Sequence, residues 1–429
     1  MDLISVSYIK MTIPETEQIK SETPLTLNSI WLNQALKDKS KADFKKTLEF
    51  MILDEEGNVS IRSKFLRDHF PYLEAFLQNK ITPPYAVEIQ PSSKCNAKCN
   101  FCFQYETLKG AKKSKDLLRD ERMDLVIKRI LEAEAYGLKI TSIKFVGSCG
   151  DPLVNPKTLD AVDACKKAGR ITKLFTNGLG LVYKDSNQVM YTDRLFFIDY
   201  MRISLDSGSE HVFNEIKHVE GFYDILKGIE RLRKLADQHK SQLHIEIGYV
   251  ITEKNYNDIY KSCSMVKNAG AHSIRYRKNM IGTPLSGDKL MHVEEKLNKA
   301  LQESEDNFKV LRVHSEKEFE TRNGFSCEKC YVPYFWVTVG SDGLLYPCGH
   351  RGGDFGWSIG NLLENDLMTI LRSQKTNSKV DELPDSDCKV CPPYAKRLNP
   401  FLHYIIQQNG DVPSIKDVIK EVANQLNPA

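Results

Sequence analysis

The sequence predicts an α/β fold: a partial (β/α)6 TIM-type barrel of parallel strands, followed by a small cysteine-rich domain and preceded by a mainly helical region. Three observations lead there. Apolar, strand-like runs alternate with helix-like segments from Tyr85 onward. Small and polar residues collect where those runs end, as expected when a site sits at the C-terminal edge of parallel strands. Near residue 310 the alternation gives way to short strands and turns that carry five of the eleven cysteines.

Taken in order, residues 1–83 hold helix-like stretches (LNSIWLNQALKD, SKADFKKTLEFMI, SKFLRDHFPYLEAFLQ) and end at Pro83-Pro84. Residues 84–310 form the barrel core. Its strand candidates are YAVEIQPS, SIKFVGSCG, ITKLFTNG, YMRISLDSG, LHIEIGYVIT and SIRYRKNMIG. Between them lie ERMDLVIKRILEAEAYG, PKTLDAVDACKKAG, GFYDILKGIERLRKLADQ and YNDIYKSCSMVKNAG, which read as helices; the spacer NQVMYTDRLFFID is the least clear. Six units favour an open or incomplete barrel over a full set of eight. Residues 311–397 form the cysteine-rich domain, in which WVTVGSDGLLYPC reads as a hairpin turning at Ser341-Asp342-Gly343. Residues 398–429 close the chain with two helical patterns.

Bulk properties narrow the function. The 429 residues include 60 basic and 57 acidic side chains, a net charge of +3, so composition provides no electrostatic reason to expect nucleic acid or a membrane surface. No window approaches the roughly 18 apolar residues of a membrane helix. The N-terminus lacks a basic region followed by an apolar run, so a cytoplasmic location is expected. In a reducing compartment, cysteines read as metal ligands or reactive thiols before disulfides. Cys165 and Cys263 fall on helical patterns and read as packing residues.

The loop SSKCNAKCNFC places Cys95, Cys99 and Cys102 at C-x3-C-x2-C directly after the first strand. A four-iron cluster has four corners to ligate, so three thiolates leave one iron open for chemistry. The residues alone also admit a zinc knuckle with a distant fourth ligand, although zinc knuckles favour paired C-x2-C units. With Phe101 before the last cysteine, the loop resembles the C-x3-C-x-aromatic-C signature of the radical S-adenosylmethionine (SAM) enzymes. The resemblance implies a 4Fe-4S cluster whose open iron is chelated by SAM. It further implies cleavage of SAM to a 5′-deoxyadenosyl radical that abstracts a substrate hydrogen, with an external reductant such as flavodoxin or ferredoxin. It carries over to Gly150, Asp151 and Pro152 in GSCGDP as SAM amino-group contacts, with Asp151 in place of the family's glutamate. It extends to Thr176 and Asn177 in TNG, to Ser204 and Asp206 in SLDSG as ribose and carboxylate contacts, and to Val250 in GYVIT on the adenine-contacting strand. It covers roughly residues 85–282.

The distal cysteines run Cys327-x2-Cys330-x17-Cys348-x39-Cys388-x2-Cys391. With Gly343 ahead of Cys348, this resembles the start of the SPASM extension of radical SAM enzymes. No cysteine follows Cys391. That departure matches the shortened Twitch form, which implies one auxiliary 4Fe-4S cluster held by Cys330, Cys348, Cys388 and Cys391, with Cys327 as the other candidate beside Cys330. The residues alone also admit a zinc site of two C-x2-C pairs. A fully ligated cluster suits electron transfer, because hydrogen abstraction removes only one of the two electrons of an oxidation.

Isolated candidates remain. Cys149 lies in the GSCGDP turn, either as a hydrogen-atom donor or as a small residue filling the turn. Arg275 and Arg277 share one face of the sixth strand, either as anion contacts for a substrate or as scaffold ion pairs. His350 and Arg351 follow Cys348 and are expected to face the substrate cavity. Three functions stay open. One is oxidation or rearrangement of a small carbohydrate- or aminocyclitol-like metabolite in natural-product biosynthesis, another is modification of a ribosomal peptide, and the third is a non-catalytic iron–sulfur or zinc protein.

Overall fold

The computed structural model describes residues 64–102, 118, 120–147, 150–279, 285–313, 329–384, 388 and 399. Cys149, Cys327, Cys391, the helical patterns before residue 64 and the C-terminal helical patterns lie outside the described residues. Two compact units divide the chain: residues 1–82 with 326–331 and 393–429, and residues 83–325 with 332–392.

In the first unit, helix α1 (Lys64–Leu77) carries Pro71 in its interior. Phe76 near its end meets Tyr331 edge to face, with ring centroids 5.8 Å apart. The Tyr331 N–H donates to Asn399 Oδ1 at 2.7 Å, and Asn399 Nδ2 lies 3.6 Å from Cys330 Sγ.

The second unit is built on β1 (Ala86–Ile89), α2 (Asp120–Glu132), β2 (Ser142–Phe145), α3 (Lys157–Lys167), β3 (Ile171–Thr176) and β4 (Tyr200–Ser204). Helices α4 (Glu210–Lys217) and α5 (Phe222–Gln238) lead to β5 (His244–Ile251), and α6 (Ile259–Asn268) leads to β6 (Ser273–Lys278). Helix α7 (Asp288–Leu301) and β7 (Lys309–Arg312) follow, then β8 (Trp336–Val339), β9 (Leu344–Tyr346) and β10 (Gly360–Asn361). The sheet order is β10-β9-β8-β1-β2-β3-β4-β5-β6-β7. From β8 to β7 all neighbours are parallel, while β8-β9-β10 are antiparallel.

Because β1 to β7 lie side by side in chain order, right-handed crossovers put every connecting helix on the same face, and the sheet curls around the other. The period-2 alternation separates those faces. Ile89, Phe145, Leu174, Ile203, Ile247 and Ile274 point to the helices and are fully buried. Glu88, Lys144, Phe175, Arg202, Glu246 and Arg275 alternate with them on the concave face. Cys165 and Cys263 are buried on α3 and α6 as packing residues.

The expected strands all form, but the count of six falls short. KVLR adds β7 beside β6, and β8 does more than start a hairpin. It pairs antiparallel with β9 through the expected 340–343 turn and also extends the barrel sheet, parallel to β1. Periodicity reveals a strand but not its second partner. The unclear spacer forms a 3-10 turn at Tyr191–Arg194 rather than a helix. Among the described residues, no helix is long and apolar enough to cross a membrane.

Replacing Ile247 by alanine, at the middle of a central strand, is expected to destabilise the protein by about 2–4 kcal/mol. A urea unfolding midpoint equal to that of the wild type would contradict the facial assignment.

Candidate functional site

The three-cysteine loop is anchored from below by a helix end. The last carbonyls of any helix lack intrahelical donors. At the end of α4, Lys217 O accepts the Lys98 N–H at 2.9 Å and Ile216 O accepts the Asn100 N–H at 3.1 Å. Within the loop the Cys102 N–H donates to Cys99 O at 3.2 Å. The loop is held from the side by the GSCGDP segment, whose Asp151 N–H donates to Lys94 O at 2.9 Å. A Cβ at Gly150 would stand 2.2 Å from Ser92 O and 2.6 Å from Lys94 O, so only glycine allows this approach. Cys95 is exposed, while Cys99 and Cys102 are half-buried. Asn177 Nδ2, at the end of β3, lies 3.6 Å from Cys95 Sγ and donates to Asn96 Oδ1 at 2.7 Å.

Beneath the loop lies a buried ion pair. Lys217 Nζ donates to Asp206 Oδ2 at 2.7 Å and to Ser204 O at 2.6 Å. Asp206 Oδ1 accepts the Val250 N–H at 2.7 Å, and Asn255 Nδ2 bridges Asp206 O and Val250 O at 2.8 Å each. Asp206 takes a left-handed φ of 59°, which turns the chain sharply at the strand end. Burial draws the Lys217 ammonium toward neutrality, but Asp206 and the nearby cysteines outweigh it and hold the group above the usual lysine range. Desolvation pushes the Cys99 thiol up, and Lys217 pulls it part of the way back. Cys95 is pushed up to about 11, by desolvation first. The Phe101 ring centroid is 5.9 Å from Lys217 Nζ.

Asp151 and Asp206 turn their carboxylates inward. Asp151 accepts from Leu153 N–H (3.0 Å), Thr176 Oγ1 (2.9 Å) and Asn177 N–H (2.7 Å), which ties the GSCGDP turn to the end of β3. Burial nevertheless raises its pKa above the carboxylate norm. Both carboxylates therefore brace the site from behind, Asp151 by joining the GSCGDP turn to the end of β3 and Asp206 by joining the ends of β4 and β5 to Lys217.

On the concave wall, Glu246 is clamped between strands. Its Oε1 receives Arg202 Nε (2.6 Å) and Arg275 Nε (2.9 Å), and its Oε2 receives Arg275 Nη2 (2.8 Å). Burial alone would raise the Glu246 carboxyl, but the two guanidiniums bring it down to about 2. Arg275 is thus a wall residue held by an ion pair. Lys144 pairs with Glu88 and lies 4.5 Å from the Trp336 ring centroid.

The turn after Cys348 rests on this wall. A Cβ at Gly349 would stand 2.6 Å from Glu88 Oε1, and one at Gly352 would stand 2.5 Å from Gln90 Nε2. Burial pushes the Cys348 thiol up to about 12, against the backbone N–H groups of Arg351 and His350 that support its sulfur. Arg351, expected to face the substrate cavity, has its described contacts within the SPASM segment. Its guanidinium stacks on Trp357 at 4.5 Å, lies 3.8 Å from Asp354 and points Nη2 at Cys388 Sγ, 3.4 Å away. His350 is half-buried in the same turn.

The donor chemistry suits iron–sulfur clusters. Among the described residues no three His, Cys, Asp or Glu side chains converge on one ion position; a cluster takes its thiolates at separate iron corners.

The family model of the radical SAM superfamily matches residues 89–263, and that of the SPASM iron–sulfur cluster-binding domain matches residues 330–392. The chain thus carries a radical SAM domain followed by a SPASM-type iron–sulfur cluster-binding domain. The chain is 27% identical over 181 residues to Molybdenum cofactor biosynthesis protein 1 of Mus musculus, covering 42% of the chain and 26% of that protein. It is 26% identical over 196 residues to the tungsten-containing aldehyde ferredoxin oxidoreductase cofactor-modifying protein of Pyrococcus furiosus, covering 43% of the chain and 49% of that protein. The chain thus spans about half or less of these relatives. Its fold is that of Streptococcus suis SuiB bound to S-adenosylmethionine (TM-score 0.52, 16% identity, 73% of this chain and 72% of that one). The same protein bound to precursor peptide SuiA matches at TM-score 0.52 and 15% identity, over 83% and 79%.

The structure gathers Cys95, Cys99, Cys102, Phe101, Gly150, Asp151, Thr176, Asn177, Ser204, Asp206 and Val250 at one sheet edge. Sequence reading missed Lys217, Arg202, Glu246 and Asn255. Arg202 and Glu246 carry a signal: both occupy a concave-face parity of a strand, where a charge needs a partner. Lys217 carries none, because a helix-terminal lysine normally reads as solvated.

Lys217→Met would strand the Asp206 charge in the interior and is expected to cost about 3–5 kcal/mol, part of it restored by adding Asp206→Asn; thermal or chemical unfolding of the wild type and the two variants checks this. The Glu246 pKa lies below its ordinary 4.5, so its contribution is present above pH 4.5 and is lost as pH falls toward 2. The shift corresponds to about 3 kcal/mol, and Glu246→Gln should flatten the acid limb of the stability curve by that order.

Proposed function

We propose that this chain is a radical SAM oxidoreductase acting on a small, polar, carbohydrate- or aminocyclitol-like metabolite, with Cys95, Cys99 and Cys102 holding the SAM-binding cluster. When bound, that cluster and SAM supply a 5′-deoxyadenosyl radical for hydrogen abstraction. The chain's own residues prepare the place. Asn177 steadies Cys95, Gly150 lets the GSCGDP segment come against the loop, and Lys217 sets a positive charge under it. Ser204, Gly248 and Val250 line the adjoining concave face.

The observation that carries the substrate class is the wall itself. Lys144, Lys173, Arg202, Arg275 and Arg277 share it with Glu88 and Glu246. Such charged side chains bind polar groups through hydrogen bonds and ion pairs. The auxiliary cluster is assigned to Cys330, Cys348, Cys388 and Cys391. The SPASM match begins at Cys330 and supports that residue over Cys327. With all corners ligated by protein, it would accept or return an electron. A second reading, modification of a ribosomal peptide, draws support from the shared fold of SuiB, whose solved complex holds a precursor peptide. The external reductant would be a flavodoxin- or ferredoxin-type protein.

Anaerobic reconstitution is expected to load about eight irons per chain, as two four-iron clusters. With SAM and dithionite the protein should release 5′-deoxyadenosine. Cys95→Ala should abolish release and lose about half the iron, whereas Cys388→Ala should lose iron but still release 5′-deoxyadenosine. Zinc without iron would overturn the reading. Deuterium passing into 5′-deoxyadenosine from a labelled sugar rather than from a labelled peptide would decide between the two substrates.

A further inference from the structure

We propose that Arg277, on the concave wall at the C-terminal end of β6, is the anchor of an anion subsite that takes a carboxylate or phosphate group of the substrate. The proposal rests on the metabolite reading above and narrows its substrate to an anionic molecule.

The argument is one of unequal charge. On three adjacent strands Arg202 stands opposite Glu246, Arg275 opposite Gly248, and Arg277 opposite Val250. Glu246 has both oxygens committed to Arg202 and Arg275. Asp206, the other carboxylate whose field reaches Arg277, has committed Oδ2 to Lys217 and Oδ1 to the Val250 N–H. Among the described residues Arg277 makes no ion pair and no hydrogen bond, although it lies mostly out of solvent. Three guanidiniums therefore share one wall carboxylate.

A half-buried cation without a counter-ion gives up part of its hydration with no partner in return, and arginine cannot escape by losing its proton. Burial and the charges of Arg202 and Arg275 indeed press the Arg277 guanidinium below its ordinary range. An anion arriving from solution relieves that cost, and the planar fork suits the paired oxygens of carboxylates and phosphates. Between Arg277 and Arg202 the wall carries no side chain at Gly248, where a Cβ would meet only the Arg202 stem (Cδ at 3.5 Å, Cγ at 3.6 Å) and Ser204 Oγ at 3.8 Å, all at ordinary contact distance. The guanidinium of Arg202 is held by Glu246 and by the Phe175 ring, 4.4 Å away, so it is committed within the wall.

The same chemistry resides in the carboxylate of SAM, and the test separates the two sources. Reconstituted protein is titrated with inorganic phosphate at constant ionic strength, by calorimetry and thermal shift, with and without saturating SAM and in the absence of reductant. The expected result is saturable phosphate binding that persists with SAM bound. It should weaken about tenfold or more in Arg277→Gln, with Arg277→Lys between the two. Equal binding in wild type and Arg277→Gln, or none in wild type, overturns the proposal. Displacement of phosphate by SAM in the wild type also overturns it, in favour of the SAM carboxylate, and this arm needs no variant to fold. Failure of the wild type to cleave SAM, with phosphate binding still dependent on Arg277, would sink the radical reading and leave the anion subsite standing.

Discussion

The buried Lys217–Asp206 pair is the constraint on which the rest of the site depends. Both charges are almost wholly removed from water, so either alone would cost several kcal/mol. Together they are satisfied, because each also reaches a backbone group: Ser204 O for the ammonium and the Val250 N–H for the carboxylate. Four segments are fixed at once as a result. The end of β4, the end of β5 and the last turn of α4 cannot move apart without exposing a charge to an apolar interior. The carbonyls at that last turn, at Ile216 and Lys217, hold the three-cysteine loop. A soft, short loop thereby inherits the rigidity of the barrel.

The barrel makes this possible by keeping its two faces chemically separate. The helix-covered face is apolar and dry, so the concave face is free to carry charge without weakening the core. On that face charge is managed locally. Glu246 quenches Arg202 and Arg275, and Glu88 quenches Lys144. The SPASM segment uses the same wall as its foundation, since the turn after Cys348 comes down on Glu88 and Gln90 through two glycines. One continuous sheet, from β10 to β7, thus supports both cysteine-bearing regions of this unit.

Much of this was legible in the chain, and the limits follow from physics rather than from a lack of signal. Strands declare themselves through alternation, and the cysteine spacing declares the chemistry, so β1 to β6 and the Cys95–Cys102 loop were readable residue by residue. Pairing partners were not readable. The run WVTV reads equally well as half of a hairpin and as a barrel strand, and it is both. The direction of a charged side chain was also hidden. Arg351 follows a cysteine ligand candidate, and no pattern in the chain foretold that its guanidinium would stack on Trp357 beside Asp354. Asp151 and Asp206 stand at the expected strand ends, and most of the groups their oxygens bond, Thr176, Asn177, Lys217 and Val250, are brought to them only by the fold. Lys217 lies eleven residues beyond Asp206, and only the fold turns that helix end under the loop.

The two cysteine regions, although far apart in the chain, meet the same electrostatic requirement. Thiolates and the clusters they hold concentrate negative charge in a place where burial favours the neutral thiol, as the raised Cys99 and Cys348 show. Loading iron must therefore displace protons, and anything that stabilises sulfur's charge assists it. At the loop that help is the Lys217 ammonium beside Cys99, carried by a different element. At the second region it is Arg351, whose backbone N–H supports Cys348 and whose guanidinium reaches Cys388. A mobile surface lysine would serve neither place, because its charge would be screened by water. In both regions the cation is fixed, the first by a buried carboxylate and the second by an aromatic face and Asp354. The cost of fixing it is met by packing that the barrel already provides.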